Sequence, residues 1–245
     1  EPGAMQQAKD LANLDIAFRH IAIMPDAHQG YGMPIGGVMA TKDSIIPNAV
    51  GVDIGCGMCS LKTNYKHVEQ HDLKKIMGII RQTIPVGFKH HKKAQDESWM
   101  PPRDKDLKIV DQEYDSATKQ IGTLGGGNHF IEIQKGSDGY AWIMVHSGSR
   151  NIGLTVANYY HKKAVEERAK HKHSNTPKDL SYFVRGLEGY ENYFDEMNYC
   201  IAFALQSRKL MMERIKDAFS DVLPDVEFSN FINKPHNFAA WEKHF

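Results

Sequence analysis

A glycine-rich stretch, NAVGVDIGCGM at residues 48–58, places the tightest constraint on how this chain folds. Glycine adopts backbone conformations that other residues avoid, so the three glycines let the chain turn sharply and approach a ligand closely. Asp53 and Cys56 stand three residues apart within this stretch, and a carboxylate oxygen and a thiolate sulfur both bind metal ions. The stretch therefore predicts either a metal site or a tight turn around an inert, buried cysteine.

A second glycine-rich motif, GGGNHFIEI at residues 125–133, delivers Asn128 and His129 into a predicted strand. Alternation along that strand places His129 on one face and Asn128, Phe130 and Glu132 on the other. The triple glycine is compatible with a flexible turn. A carboxamide and an imidazole directly after it favour a backbone that lies against a ligand.

Two more histidines end apolar or aromatic segments. His146 follows the predicted buried strand AWIMV and precedes Ser147 and Arg150, whose planar guanidinium suits a phosphate. This segment is also compatible with a serine-capped turn into a helix. His236, followed by Asn237, lies before an aromatic C-terminal segment, and by itself it predicts little.

The segment PDAHQGYGMPIGG at residues 25–37 is predicted to be a loop that follows a buried strand. It carries Asp26 and His28, and loops on rigid strands often hold functional residues. A long turn with polar surface residues is the alternative.

Composition narrows the class of protein. The 245 residues contain 41% hydrophobic and 24% charged residues with a net charge of zero, so a soluble globular protein without a global basic footprint is expected. Three scattered cysteines do not form a disulfide framework, which favours the reducing cytoplasm. No apolar run is long enough to cross a membrane.

Cys56 and Cys59 form a C-x-x-C pair, but no second pair exists for a four-thiolate zinc site, and Cys59 is expected to be structural.

Hydrophobic periodicity predicts the remaining elements. Helices are expected at 4–14, 68–83, 111–120, 154–170 and 191–219, and strands at 18–24, 38–40, 56–63 and 141–145. The C-terminal part is expected to be mainly helical. Residues 89–108 are charged and interrupted by prolines, and we expect a solvated, mobile loop there, with contacts to an RNA backbone as the alternative.

Five segments in this order, MPDAHQGYGMPIGG, GVDIGCG, GGGNHFIE, HSGSRNIG and PHNFAAWE, resemble the RtcB family of RNA ligases. The resemblance runs from about residue 20 to the C-terminal end. It implies an α+β fold with central β-sheets around a dinuclear metal cleft and a mainly helical segment toward the C-terminus. It also implies an enzyme of RNA repair and tRNA splicing that uses GTP and two Mn²⁺ ions. Such an enzyme joins an RNA 2′,3′-cyclic phosphate or 3′-phosphate end to a 5′-hydroxyl end.

The resemblance also assigns roles to residues. Metal ligands would be Asp53, Cys56, His129, His146 and His236, with Cys56 bridging two ions. Catalytic residues would be Asp26, Asp53 and Cys56, with Asp26 as a base for the 5′-hydroxyl. GTP would contact Asn128, His129, Phe130, Glu132, His236 and Asn237, and Arg150 would hold an RNA phosphate.

Two departures from the family pattern shape these expectations. The family commonly has Asn where this chain has Gly55, which indicates a divergent subgroup. The family's H-G-A-G-R motif, whose histidine becomes guanylylated, does not occur in the 245 residues. We therefore expect a single catalytic domain over residues 1–245, truncated at both ends, that binds metal without completing ligation.

Two other functions compete with a GTP-dependent ligase. One is a metal-dependent phosphoesterase that acts on RNA cyclic phosphate ends, which needs no guanylylated histidine. The other is a metal-stabilised RNA-binding module. For the ligase, the expected partner is RNA with the ends described above, without a membrane, and the chain is expected to act as a monomer in the cytoplasm.

Overall fold

The computed structural model describes residues 1–170 and 176–243. The chain separates into two compact units. The first unit comprises Glu1–Val52, Leu154–Met197 and Ala239–Phe245, and the second comprises Asp53–Gly153 and Asn198–Phe238. The single catalytic domain over residues 1–245 stays a prediction.

The first unit contains two small antiparallel sheets. Its elements are α1 (Pro2–Ala12), β1 (Ala17–His28), β2 (Ile35–Thr41), β3 (Ser44–Ile45), α2 (Pro47–Val50) and β7 (Phe183–Val184). β1 pairs with β2, and β3 pairs with β7. Leu11, Leu14, Ile16, Ile46 and Leu180 form a buried core within this unit.

Two expectations about the first unit are wrong. The strand expected at 18–24 extends to His28, so Asp26 and His28 lie in β1 and not in a loop. That strand is also largely exposed, although burial was predicted from its isoleucines. The difference arises because β1 belongs to a sheet of only two strands.

The second unit is built around a four-stranded antiparallel sheet with the order β5-β6-β4-β8. These strands are β4 (Gly57–Thr63), β5 (Phe130–Lys135), β6 (Ala141–Ser147) and β8 (Phe228–Pro235). β4 alternates strictly between buried and half-buried residues, as a strand with one face on a core should. Hydrophobic periodicity predicted a mainly helical C-terminal part and gave no sign of β8. β8 is an edge strand with mostly exposed residues, a register shift and a positive φ at Asn230.

Helices cover the sheet of the second unit. The remaining helices of the chain are α3 (Gln70–Thr83), α4 (Lys108–Gln120), α5 (Arg150–Lys170) and α6 (Glu188–Val222), with short 3₁₀ turns at Glu97–Trp99 and Lys178–Leu180. Cys59 and Ile143 of the sheet pack with Ile76 of α3 and with Met211 and Phe219 of α6. The four predicted helices that correspond to α3 to α6 are confirmed, and so is the α+β class.

No helix within residues 1–170 and 176–243 is long and apolar enough to cross a membrane.

Candidate metal centre

The turn at residues 53–56 is held by backbone hydrogen bonds on both sides. The Cys56 N–H donates to the Asp53 carbonyl at 3.0 Å, and the Gly55 N–H donates to the Asn237 carbonyl at 2.8 Å. Gly55 has a φ of +73°, and a Cβ at this position would lie 2.9 Å from the Cα of Ile201 in α6. The close approach of α6 therefore leaves no room for a side chain at position 55, and glycine also adopts the positive φ without strain.

The sheet register brings three of the predicted ligands to one end of adjacent strands. Gly57, at the start of β4, pairs with Ser147 on one side and with Pro235 on the other. Because the strands are antiparallel, Cys56 before β4, His146 near the end of β6 and His236 after β8 meet there. Each of these two histidines is at least 90 positions away from Cys56 in the sequence.

Five predicted ligands converge in the second unit as two groups that share Cys56. Asp53, Cys56 and His129 form one group, and Cys56, His146 and His236 form the other, with the ligand atoms of each group within 4.8 Å of one another. The Cys56 Sγ lies 3.5 Å from the His129 Nε2 and 3.2 Å from the His146 Nε2. The two Nε2 atoms of His146 and His236 are 3.3 Å apart. Asp53, Cys56 and the three imidazoles thus surround one small volume.

Backbone carbonyls orient two of the imidazoles. The His129 Nδ1 donates to the Leu124 carbonyl at 3.0 Å, and the His146 Nδ1 donates to the Asn128 carbonyl at 3.0 Å. Because a carbonyl can only accept, each neutral ring carries its proton on Nδ1, and its Nε2 presents a lone pair to the centre. Metal-binding histidines are oriented in this way by a partner on the other ring nitrogen.

The donor set fits a cation. The His129 Nε2 lies 2.8 Å from an Asp53 carboxylate oxygen, and without a proton on Nε2 both atoms would be acceptors at hydrogen-bonding distance. Such a contact is stable only if a proton or a metal ion lies between the two atoms. The same holds for the two facing Nε2 atoms of His146 and His236.

The surroundings of Asp53, Cys56, His146 and His236 shift the pKa values of these residues. Burial would raise the pKa of the Asp53 carboxyl, but the hydrogen bond and charge of His129, with Cys56 and Arg150, lower it below its usual value. Burial, and then the adjacent Asp53 carboxylate, raise the pKa of the Cys56 thiol. Burial lowers the pKa values of His146 and His236. A bound cation would offset the cost of the Cys56 thiolate, since a coordinating thiol is deprotonated.

Arg208 is a residue of this site that sequence analysis missed. It is 0% exposed, and its Nη1 donates to the Gly55 carbonyl at 2.8 Å and to the Ser147 carbonyl at 2.7 Å. Its Nε donates to the Asn233 side chain of β8 at 2.7 Å. One buried guanidinium therefore joins the segments that carry Cys56, His146 and His236. One feature of the sequence pointed to a buried position for Arg208. It stands four residues after Ala204 and therefore lies on the same apolar face of α6.

The predicted nucleotide contacts lie around the same histidines. Asn128 is exposed at its side chain, and Phe130 makes an edge-on ring contact of 5.5 Å with His146. Glu132 is exposed on the same strand as Phe130. The Asn237 side chain donates to the Asp53 carbonyl at 3.2 Å, so it supports the turn that carries Asp53 and Cys56.

Arg150 is partly engaged by its own chain, and Asp26 lies in the first unit. Arg150 uses its Nε on the Thr123 hydroxyl at 3.0 Å and its Nη2 on the Gly87 carbonyl at 2.8 Å. Two of its donor groups thus bind this chain, and the contact with an RNA phosphate stays a prediction. Asp26 is exposed in β1 of the first unit, and its role as a base stays a prediction.

These observations define an α+β protein with a Cys/His/Asp centre suited to metal ions. The profile of the family described as tRNA-splicing ligase RtcB matches residues 7–105 and 92–245, and the chain belongs to this family. It is 36% identical over 271 residues to the RNA-splicing ligase RtcB of Escherichia coli K12, with 100% of this chain and 66% of that protein covered.

Two relatives with lower sequence identity carry the same family name. The tRNA-splicing ligase RtcB of Thermococcus kodakarensis is 27% identical over 296 residues, with 98% of this chain and 61% of the relative covered. The RNA-splicing ligase RtcB homolog 1 of Entamoeba dispar is 28% identical over 302 residues, with 99% and 55% covered. The chain thus spans 55% to 66% of the length of these curated relatives.

Proposed function

We propose that this chain forms the metal-binding part of an RNA ligase that joins a 2′,3′-cyclic phosphate or 3′-phosphate end to a 5′-hydroxyl end. The convergence of Asp53, Cys56, His129, His146 and His236 carries this proposal. The names of the relatives, RNA-splicing and tRNA-splicing ligases, support RNA as the substrate. RNA repair and tRNA splicing are the expected settings.

The centre would hold two Mn²⁺ ions with Cys56 as the shared ligand. This arrangement is supported because the Cys56 Sγ belongs to both ligand groups. Thiolate and imidazole ligands suit zinc as well, so the preference for Mn²⁺ rests on the family and not on the donor atoms. When bound, a pair of divalent ions polarises phosphate oxygens and neutralises the charge that develops during phosphoryl transfer.

GTP is the proposed energy source. The exposed Asn128 carboxamide would bind its phosphates, and the exposed Glu132 carboxylate can accept from the neighbouring N–H groups of guanine. Phe130 offers an aromatic surface beside His146. His129, His236 and Asn237 complete the proposed nucleotide site, and Asp26 would accept the proton of the 5′-hydroxyl. The guanylylated histidine would lie outside these 245 residues.

Labelling with α-³²P-GTP and Mn²⁺ tests this function. We would compare this chain with a version extended past Phe245 to the length of its relatives, and separate the products on denaturing gels. The expected result is a label on the extended version alone, lost in Cys56→Ala and retained in Cys59→Ala. If neither version is labelled while both bind Mn²⁺, guanylylation is wrong for this protein, and turnover of a 2′,3′-cyclic phosphate without GTP would then support the phosphoesterase.

A further inference from the structure

The aromatic ring of Phe88 is completely exposed. Its relative exposure is 100%, and the neighbouring Val86 is 50% exposed. A fully exposed phenylalanine presents its ring faces to solvent, where a planar ligand can stack on them. Phe88 belongs to a segment of residues 85–93, which we call the Phe88 loop.

The Phe88 loop is attached directly to the glycine-rich segment that carries His129. The Leu124 N–H donates to the Pro85 carbonyl at 2.9 Å, and the Gly87 N–H donates to the Gly125 carbonyl at 2.7 Å. A Cβ on Gly125 would lie 2.6 Å from the His129 Nδ1, so Gly125 packs against this imidazole. Phe88 therefore directly follows Gly87, which is hydrogen-bonded to Gly125. Gly125 in turn packs against His129, a candidate metal ligand.

The outer side of the Phe88 loop is basic. Lys89, His90, Lys92 and Lys93 are exposed, and the next acidic residue along the chain is Asp96. Within residues 1–170 and 176–243, the three lysine side chains have neither a hydrogen bond nor an ion pair. Their charges are therefore available to phosphate groups.

The loop is anchored at its base. The His91 N–H donates to the Lys119 carbonyl at 3.0 Å, and the Gln95 N–H donates to the Thr118 carbonyl at 2.9 Å. Arg214 of α6 donates to the His91 ring at 2.9 Å. These contacts hold the backbone at the C-terminal end of the loop, which reduces the entropic cost of ordering the loop when a ligand binds.

We propose that the Phe88 loop binds a single-stranded RNA end next to the metal centre, with a base stacked on Phe88 and the backbone phosphates on Lys89, Lys92 and Lys93. An exposed aromatic ring beside unpaired basic residues is the arrangement by which proteins bind single-stranded nucleic acid without sequence readout. The proposal rests on the RNA ligase function and adds to it a subsite for the RNA strand.

Fluorescence anisotropy with a short, unstructured, labelled oligouridylate tests the subsite on the full chain. Phe88→Ala should weaken binding about 5- to 150-fold, since stacking of one base is worth about 1–3 kcal/mol, and Phe88→Trp should restore it. Phe18→Ala, at another exposed aromatic residue (40% exposed), is the control and should leave the affinity unchanged. An abasic oligonucleotide should bind wild type and Phe88→Ala equally.

The charges are tested by the triple variant of Lys89, Lys92 and Lys93 to alanine. Loss of three phosphate contacts should reduce the slope of log affinity against log salt by about 2. The control removes three other exposed lysines, Lys74, Lys105 and Lys135, so that both triple variants have the same net charge.

The outcomes separate this subsite from the ligase function. If wild type binds the RNA and Phe88→Ala binds it equally well, the subsite is refuted while the ligase function stands. If wild type binds no RNA, both proposals fail.

Discussion

The Arg208 guanidinium donates a hydrogen bond of 2.8 Å to the carbonyl of Gly55, the residue before Cys56. The same nitrogen binds the carbonyl of Ser147, the residue after His146. Both acceptors are neutral, and the charge of Arg208 is completely buried. A buried cation is costly, so its position between two ligand-bearing segments indicates a role in positioning them and in offsetting a thiolate.

Replacement of Arg208 by methionine should lower the free energy of unfolding by at least about 2 kcal/mol, because the Gly55 and Ser147 carbonyls lose their donor. Arg208→Lys keeps the charge, but a single ammonium group cannot reach all the acceptors that the planar guanidinium reaches. Denaturant unfolding measures stability, and Co²⁺ absorption measures the geometry of the centre. A purely structural role would leave the Co²⁺ spectrum of folded Arg208→Lys unchanged, whereas a positioning role predicts a shifted thiolate band and weaker binding.

α6 leaves little room for a side chain at position 55, where the resemblance to the family implies an asparagine. Gly55→Asn should destabilise the fold by about 1–3 kcal/mol, since the new Cβ would lie 2.9 Å from the Ile201 Cα. Asparagine tolerates the positive φ, so steric overlap is the expected cause. Gly78→Ala in α3, where a Cβ meets nothing within 4 Å, is the matched control and should stabilise the helix by about 0.5–1 kcal/mol. Equal stability of Gly55→Asn and wild type would contradict this explanation.

His91 gives the Phe88 loop a dependence on pH. Burial lowers its pKa below 6.5, with help from the charges of Arg214 and His90, while a hydrogen bond with the Gly122 backbone opposes the shift. The folded state therefore holds fewer protons than the unfolded state near that pH, so stability is present above 6.5 and is lost as the pH falls through the folded pKa.

Comparison of wild type with His91→Gln isolates this contribution, because glutamine retains an acceptor for Arg214 but does not titrate. The difference in the free energy of unfolding between the two proteins should change by at most about 1.4 kcal/mol per pH unit below pH 6.5. It should be constant above pH 7.5, where both states are neutral. A difference that does not vary with pH would show that His91 titrates alike in both states.

Part of this structure could be predicted from local patterns. The amphipathic spacing of Leu73, Ile76 and Ile80 is sufficient for α3. Glycines near Asp53, Cys56, His129 and His146 marked these residues as candidate ligands, whereas His236 was assigned only through the resemblance to the RtcB family. Their convergence depends on the register between Gly57, Ser147 and Pro235, which no local pattern reveals.

Other features depended on tertiary contacts. β8 lacks alternation because it lies at the edge of the sheet, and its pairing with β4 defines it. Arg208 is a polar residue whose partners are distant carbonyls. The loop expected to be mobile at residues 89–108 is anchored by His91 and Gln95 on α4 and α6.

Optical titration with Co²⁺ tests the central claim that Cys56 is the shared ligand of two metal ions. Wild type should bind two ions per chain with a thiolate-to-metal charge-transfer band. Cys59→Ala should keep that band, since Cys59 is a core residue whose burial raises its thiol pKa to about 12. Cys56→Ala should lose the band and both high-affinity sites while remaining folded by circular dichroism. A charge-transfer band that survives in Cys56→Ala, or a wild-type chain that binds no metal, would contradict this account.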